Sequence, residues 1–155
     1  MKKLLVLLLF IPLISFSQNL TFIGENSYPS TEEFDFDNKE DDLFVTFLKD
    51  NDKTMIMLKT LDVLAYKNPS INGKMLVYLD NGKVISVSKP SYRDYVDKFC
   101  ISIYPLTKSD VDAIINSNIN SIRYALDDDY DDIRNRVATN IADYPINNTL
   151  ESFIN

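Results

Sequence analysis

The sequence contains no histidine, and this absence excludes more chemistry than any other feature of its composition. Catalysis that depends on an imidazole base is excluded, and so are metal sites built on histidine ligands. Cysteine is nearly absent too, because Cys100 is the single one. The chain can therefore form no internal disulfide, and it offers zinc only one thiolate among carboxylates.

Glycine and positive charge are also scarce. The three glycines stand far apart, so no glycine-rich loop is available to cradle a phosphate, and nucleotide binding is not expected. The chain has 16 basic and 23 acidic residues, for a formal net charge of −7. An acidic surface favours solubility and repels the backbone of nucleic acids. We predict no cofactor and no nucleic-acid partner.

The start of the sequence has the order of a secretory signal peptide. A cationic start, Met1 to Lys3, is followed by an unbroken apolar run from Leu4 to Ile14 and by small residues at Ser15 and Ser17. A permanent membrane span is the alternative, but it needs about 20 apolar residues, and this shorter run contains Pro12. We predict a signal peptide over residues 1–17, a periplasmic or secreted location, and no stable membrane anchor after cleavage.

The rest of the chain divides into two parts. Residues 18–42 combine Pro29 with an acidic stretch and show no sustained period, so we expect an irregular acidic N-terminal arm. From Leu43 onward, short β-rich runs alternate with turn residues. We predict one α+β domain over residues 43–155, because the chain that follows the signal peptide, residues 18–155, is close to the commonest domain size of about 100 to 150 residues.

Five strands in a roughly meandering order are expected first. The Asn81-Gly82 pair gives the strongest signal, because it accepts the positive φ angles of a type I′ hairpin turn. Cys100 lies in an alternating stretch, where we expect a buried structural thiol. A four-residue loop, residues 50–53, is expected between the first two strands. The predicted strands are Leu43–Lys49, Thr54–Leu61, Lys74–Asp80, Lys83–Ser88 and Lys98–Tyr104.

Helical periodicity begins after Leu106. Thr107 is placed to cap the helix, Asp110 to stabilise its N-terminus, and Asn118 to end it as a left-handed C-cap. Alternation over Ser121–Leu126 predicts a sixth strand.

A second helix is expected near the C-terminus. An acidic run, residues 127–132, precedes three apolar residues at helical spacing, and Pro145 would stop the helix. The three apolar residues are Ile133, Val137 and Ile141, and a last amphipathic turn follows with Leu150, Phe153 and Ile154. The predicted fold is therefore α+β: an antiparallel meander sheet of five to six strands with one packed helix and a C-terminal helix.

The segment Lys98–Leu126 contains two motifs that can be compared with those of other proteins. It contains Tyr104-Pro105-Leu106-Thr107 before the helix and Ile119-Asn120-Ser121-Ile122-Arg123 after it. With the signal-peptide ending and the bias towards Asn, Asp, Lys and Ile, this segment resembles small exported proteins of Bacteroidetes. Because the shared motifs are structural, the resemblance implies origin and export, and no activity.

The acidic residues are candidate metal ligands and catalysts. Asp127, Asp129 and Asp131 have the spacing of an EF-hand loop, but Asp132 stands where the loop needs glycine and Ala138 where it needs glutamate. We therefore predict no metal site. Two carboxylates about 5 to 10 Å apart could hydrolyse a glycosidic bond, but no pair stands in a recognisable context.

Tyr92, Arg93 and Tyr95, in the loop predicted over Ser91–Asp97 between the fourth and fifth strands, are the candidate binding residues. Tyrosine and arginine are frequent in binding hot spots, because they combine a large contact area with a polar tip. The alternative is structural: both tyrosines lie over the sheet edge, and Arg93 pairs with Asp94 or Asp97.

Two functions are open. The first is a non-catalytic binding or accessory module of the cell envelope, of an inhibitor or immunity type, with an envelope or extracellular protein as partner. The second is a carboxylate-dependent hydrolase that acts on envelope polymer. The first is favoured, because a compact α+β domain without histidine or a glycine-rich loop has few ways to do chemistry and several ways to present a surface.

Overall fold

The computed structural model of the chain describes residues 19–39, 42–61, 69–127 and 133–155. The predicted signal peptide, and Asp129 and Asp131 of the EF-hand spacing, lie outside these ranges. Within them the α+β class is confirmed: the chain is mostly antiparallel sheet with two helices. The strands are β1 (Asn19–Ile23), β2 (Asn26–Ser30), β3 (Phe34–Phe36), β4 (Leu43–Asp50), β5 (Lys53–Leu61), β6 (Ser70–Ile71), β7 (Met75–Leu79), β8 (Val84–Val87), β9 (Tyr92–Val96), β10 (Phe99–Leu106), β11 (Ile119–Asp127) and β12 (Ile133–Thr139), and the helices are α1 (Lys108–Asn116) and α2 (Ile146–Ile154).

Seven strands form the first sheet, in the order β1-β2-β4-β5-β10-β9, with β3 also paired to β4. The loop between β4 and β5 is two residues long rather than the predicted four, with Asn51 at a φ of 53°. Strands β2 and β3 pair with successive parts of β4, since Ser30 lies opposite Leu48 and Phe34 opposite Val45. The sheet is curled into a half-barrel.

The second sheet has the order β12-β11-β7-β8, with β6 also paired to β11. The predicted hairpin of β7 and β8 is confirmed, but its turn is not type I′. Gly82 has a φ of 82°, whereas Asn81 is not among the residues of positive φ. The Leu79 carbonyl accepts a 2.9 Å hydrogen bond from Gly82 N, and Leu79 N donates one of 2.9 Å to the Lys83 carbonyl. These features match a type I turn followed by a left-handed glycine.

The single meander predicted from the sequence is wrong. Strand β10 pairs with β5 and β9, while β7 and β8 join β11 in the second sheet. Alternation of apolar residues determines which face of a strand is buried, but it does not select the neighbouring strand. Because both arrangements bury the same side chains, the pattern could not distinguish them.

The irregular arm predicted for residues 18–42 is wrong over residues 19–36, which form three strands. Strands β1 and β2 make a hairpin whose two-residue turn begins at Gly24, with a φ of 58°. In β3, Phe34 and Phe36 are buried and Asp35 is exposed, as expected for a strand with one face on the core. These strands are too short to show a period within an acidic stretch.

The second helix, predicted from the spacing of Ile133, Val137 and Ile141, is also wrong, because Ile133–Thr139 is the edge strand β12. A spacing of four residues equals two strand periods as well as about one helical turn, so it places Ile133 and Val137 on one face in either structure. That face is exposed, and Ala138 is the buried residue of the strand. The predicted C-terminal turn extends to the full helix α2.

Helix α1 begins as predicted, with a complete capping box. Thr107 Oγ1 accepts a 3.2 Å hydrogen bond from Asp110 N, and the Asp110 carboxylate accepts one of 2.9 Å from Thr107 N. The predicted C-cap at Asn118 is wrong, because the cap is Ser117 in an extended conformation.

The main core lies between the two sheets and the helices. It includes Tyr104, Tyr124 and Cys100, so the buried position predicted for the thiol is confirmed. Ser102 Oγ donates a 2.6 Å hydrogen bond to the Ile71 carbonyl and so joins β10 to the second sheet.

A smaller apolar cluster lies on the opposite face of the first sheet. Its buried members are Leu48, Met57 and Ile103, and Ile23 and Tyr28 of the β1–β2 hairpin pack against them. The hairpin therefore folds over this face.

Candidate functional site

A groove of about 760 Å³ lies on this second face of the first sheet, between the β1–β2 hairpin and β9. This volume falls within the range of about 300 to 1,000 Å³ typical of ligand pockets. Residues 19–24 form one wall, and Glu32 and Glu33 lie on the rim. The opposite wall is Tyr92, Asp94 and Val96, and the floor includes Thr46, Met57, Lys59 and Ile101.

Strand β9 divides the three predicted binding residues between its two faces. Residues 91–97 were predicted to be a loop, but Tyr92–Val96 is an edge strand paired with β10. Tyr92 lines the groove, whereas Tyr95 packs against the main core on the other side. Arg93 alternates with Tyr92 and so belongs to the Tyr95 face. Only Tyr92 of the three therefore contributes to the groove.

Asp94 is held in place at the groove wall by two hydrogen bonds. One oxygen accepts from the Tyr92 hydroxyl at 2.9 Å and the other from Tyr95 N at 2.8 Å. The first bond is the largest cause of a raised pKa at Tyr92, and burial and the charge of Asp94 add to it. The predicted alternative for Arg93 does not hold in the described chain, where it forms no ion pair with Asp94 or Asp97.

Lys59 is the basic residue of the groove, and its charge is already compensated. It forms an ion pair with Glu33, and its Nζ lies 4.9 Å from the ring centroid of Phe44 and 5.1 Å from that of Phe99. Among the described residues, neither Glu32 nor Asp94 forms an ion pair. The groove therefore presents uncompensated negative charge.

The acidic character continues along the same face. Asp35 lies opposite Phe44 on β4, next to the rim residue Glu33. Although its side chain is exposed, partial desolvation by the surrounding chain raises the pKa of Asp35, and the charges of Asp42, Asp37 and Glu33 raise it further. A cationic group near this rim would relieve repulsion among these carboxylates.

The wall formed by β1 is apolar and open. Phe22 is 73% exposed and Leu20 is 52% exposed, and neither strand face carries a charged side chain. In the described chain β1 pairs with β2 alone. Every residue from Asn19 to Gly24 lines the groove, as expected when a strand presents its edge rather than one face.

The backbone groups at this edge can be assigned from the register. Leu20 lies opposite Pro29, which has no N–H to donate. This pair is therefore of the non-hydrogen-bonded type, and Phe22 opposite Ser27, two residues on, is of the same type. The N–H and C=O groups of Leu20 and Phe22 thus point away from β2, towards the groove.

Sequence reasoning missed most of this site. Leu20 and Phe22 fall in the segment interpreted as an arm, and Asp94 was considered only as a partner for Arg93. The run Leu20-Thr21-Phe22-Ile23 before Gly24 is rich in β-forming residues and could have indicated the hairpin.

Metal-binding clusters and membrane-spanning helices are absent from the same described ranges. These ranges contain no group of three or more cysteine, aspartate and glutamate residues arranged to hold a metal ion. They also contain no helix that is both long and apolar enough to cross a membrane.

No family model, no curated protein and no solved structure matches the chain, so none bears on the resemblance to exported proteins of Bacteroidetes.

Proposed function

We propose that this protein is an exported, non-catalytic binding module of the cell envelope, and that its ligand occupies the groove between β1 and β9. The observation that carries the proposal is the groove itself, an open apolar channel whose wall and rim hold uncompensated carboxylates. Export rests on the pattern of residues 1–17. The ligand is part of an envelope or extracellular partner.

The chemistry of the lining defines the ligand in outline. Exposed Leu20 and Phe22 would bury apolar surface on binding, worth about 25 cal/mol for each Å² removed from water. Asp94 is already oriented by its two hydrogen bonds, so a cation beside it would meet a fixed acceptor. The groove therefore suits a ligand with an apolar body and a positive charge.

The test uses the neutral apolar fluorophore N-phenyl-1-naphthylamine. We expect saturable binding, and displacement by decylamine at lower concentration than by decanoate, because only the amine complements the carboxylates. Phe22→Glu should weaken binding about tenfold or more, since it replaces an apolar surface of the groove wall by a charge that the apolar probe would have to desolvate. Val137→Glu is the matched control, because Val137 is similarly exposed but lies on β12, outside the groove.

Equal binding by wild type and Phe22→Glu would contradict the proposal. The carboxylate-dependent hydrolase is the competing function, and it would have to use Glu32 or Asp94, the groove carboxylates that form no ion pair among the described residues. Release of soluble fragments from purified envelope polymer by the protein alone would favour the hydrolase.

A further inference from the structure

We infer that the ligand of the groove is an extended polypeptide segment of alternating apolar and basic residues, which adds as a strand to the open edge of β1. This inference rests on the proposed function and specifies its ligand. It requires a free strand edge, an apolar surface for alternate side chains and negative charge for the others.

The free edge is the first requirement. The N–H and C=O groups of Leu20 and Phe22 point into the groove, and no described strand pairs with them. Exposed edges are commonly blocked by charged side chains, proline or bulges, and β1 has none of these. An added strand would form the hydrogen bonds that give affinity in β-augmentation.

The side chains meet the second and third requirements. Successive side chains of an added strand point to opposite faces. One set would lie towards the apolar floor at Met57 and Ile101, and the other towards the rim. Glu32 and Asp94 lack basic partners in the described chain, so basic residues of the added strand would complement them.

A second copy of this chain is the less favourable occupant. The full chain has a formal net charge of −7, which loss of Lys2 and Lys3 with the predicted signal peptide makes more negative, and its β1 edge brings no basic residue to an acidic groove. Pairing of two β1 edges would therefore bring two acidic rims together. Charge complementarity selects a basic partner strand instead.

The experiment uses four synthetic peptides on the full exported chain. Strand β1 has five residues, so an eight-residue peptide spans it with a margin at about 3.3 Å per residue. The test peptide alternates valine and lysine and carries a fluorophore. The first control replaces lysine by glutamate, the second has valine and lysine in two blocks, and the third is N-methylated at alternate residues. Fluorescence anisotropy measures the affinity of each.

The alternating lysine peptide should bind at least about tenfold more tightly than each control, because each control removes one of the three requirements. Its affinity should also fall as salt is raised. Equal affinity for the N-methylated peptide would overturn strand addition, and equal affinity for the glutamate peptide would overturn the charge requirement.

A pair of protein variants separates the contribution of the backbone N–H to binding from that of the side chain. Phe22→Ala removes only the ring, whereas Phe22→Pro also removes the N–H that faces the groove and spares the hydrogen bonds to β2. We expect Phe22→Pro to bind the peptide about tenfold more weakly than Phe22→Ala, with similar melting temperatures. Equal affinities in two folded variants would contradict the inference.

Two results would identify another occupant. Dimerisation of the wild type in sedimentation experiments, lost in Phe22→Pro but not in Phe22→Ala, would replace the peptide by a second copy. Binding of N-phenyl-1-naphthylamine without binding of any peptide would overturn the strand inference while the proposed function stands.

Discussion

The buried side chain of Tyr104 makes the stability of the native state depend on pH. It is fully buried in the main core, and its hydroxyl donates a 3.2 Å hydrogen bond to the Gly73 carbonyl. Burial raises its pKa to about 12, against a small opposing effect from Arg93. The unfolded chain releases this proton near its ordinary pKa of 10.0, whereas the native protein retains it to higher pH. The raised pKa therefore stabilises the native state fully below pH 10, and this stability is lost as pH rises towards 12.

Tyr104→Phe should reduce this pH dependence. A shift of the Tyr104 pKa from 10.0 to about 12 corresponds to roughly 2 to 3 kcal/mol of stability once the hydroxyl is fully titrated. We expect the variant to be less stable at pH 8 by about 1 kcal/mol, through loss of the hydrogen bond, and to lose less stability between pH 9 and 11.5. Urea denaturation at each pH measures the free energy of unfolding of the variant and of the wild type. Tyr78→Phe, at a half-buried ring, is the control. An unchanged slope in Tyr104→Phe would contradict the assignment.

Substitutions at Gly82 test the conformation of the hairpin turn between β7 and β8. The Gly82 φ of 82° is in the left-handed region, and no atom would contact an added Cβ, so a substitution there tests conformation alone. Gly82→Val should destabilise the protein by about 1 to 2 kcal/mol, because a β-branched residue resists this φ. Gly82→Asn should cost less, since asparagine tolerates the left-handed region. Thermal unfolding compares the two, and equal stability of both variants with the wild type would contradict the turn.

Among elements, local signals were predicted well and pairings were not. The capping box at Thr107 and the hairpin around Gly82 could be predicted because each depends on a few consecutive residues. The partner of β10 could not, because pairing depends on strands far apart in sequence. The groove was missed for the same reason: its two walls, β1 and β9, are the opposite edges of the first sheet and lie far apart in sequence.

The N-terminus of helix α2 is capped by a residue outside the helix. Its N-cap is Pro145, which makes no side-chain hydrogen bond to the helix. Instead Asn118 Oδ1 accepts a 3.3 Å hydrogen bond from Asn147 N, and Asn118 Nδ2 donates one of 2.8 Å to the Tyr144 carbonyl. Asn118, predicted as the C-cap of the preceding helix, thus caps the next one and ties the two together.

Asn118→Ala should therefore destabilise the protein by about 1 to 2 kcal/mol, as the loss of an N-cap does. Asn118→Asp keeps the acceptor for Asn147 and loses only the donor to Tyr144, so it should cost less. Amide hydrogen exchange should show faster exchange in α2 for Asn118→Ala. A uniform loss of protection over the whole chain would indicate a different role for this residue.

At the scale of the whole molecule, the two apolar clusters are formed by different parts of the chain. The main core draws residues from both sheets and both helices, but none from residues 19–30. The smaller cluster around Met57 is covered by Ile23 and Tyr28 of the β1–β2 hairpin. The hairpin is therefore a cover added to a core that is complete without it, and it also supplies one wall of the groove.

This division predicts that a chain beginning at Ser30 folds but does not bind. Thr31 is retained, so its hydrogen bonds with Phe47 still anchor the start of the chain to β4. Removal of the hairpin exposes Leu48, Met57 and Ile103, so we expect a cooperative unfolding transition at lower temperature. Far-UV circular dichroism should retain the sheet signal, and binding of the lysine peptide should be lost with the β1 edge. A shortened chain that does not fold would show that the hairpin belongs to the core. A folded one that still binds the peptide would place the binding site elsewhere.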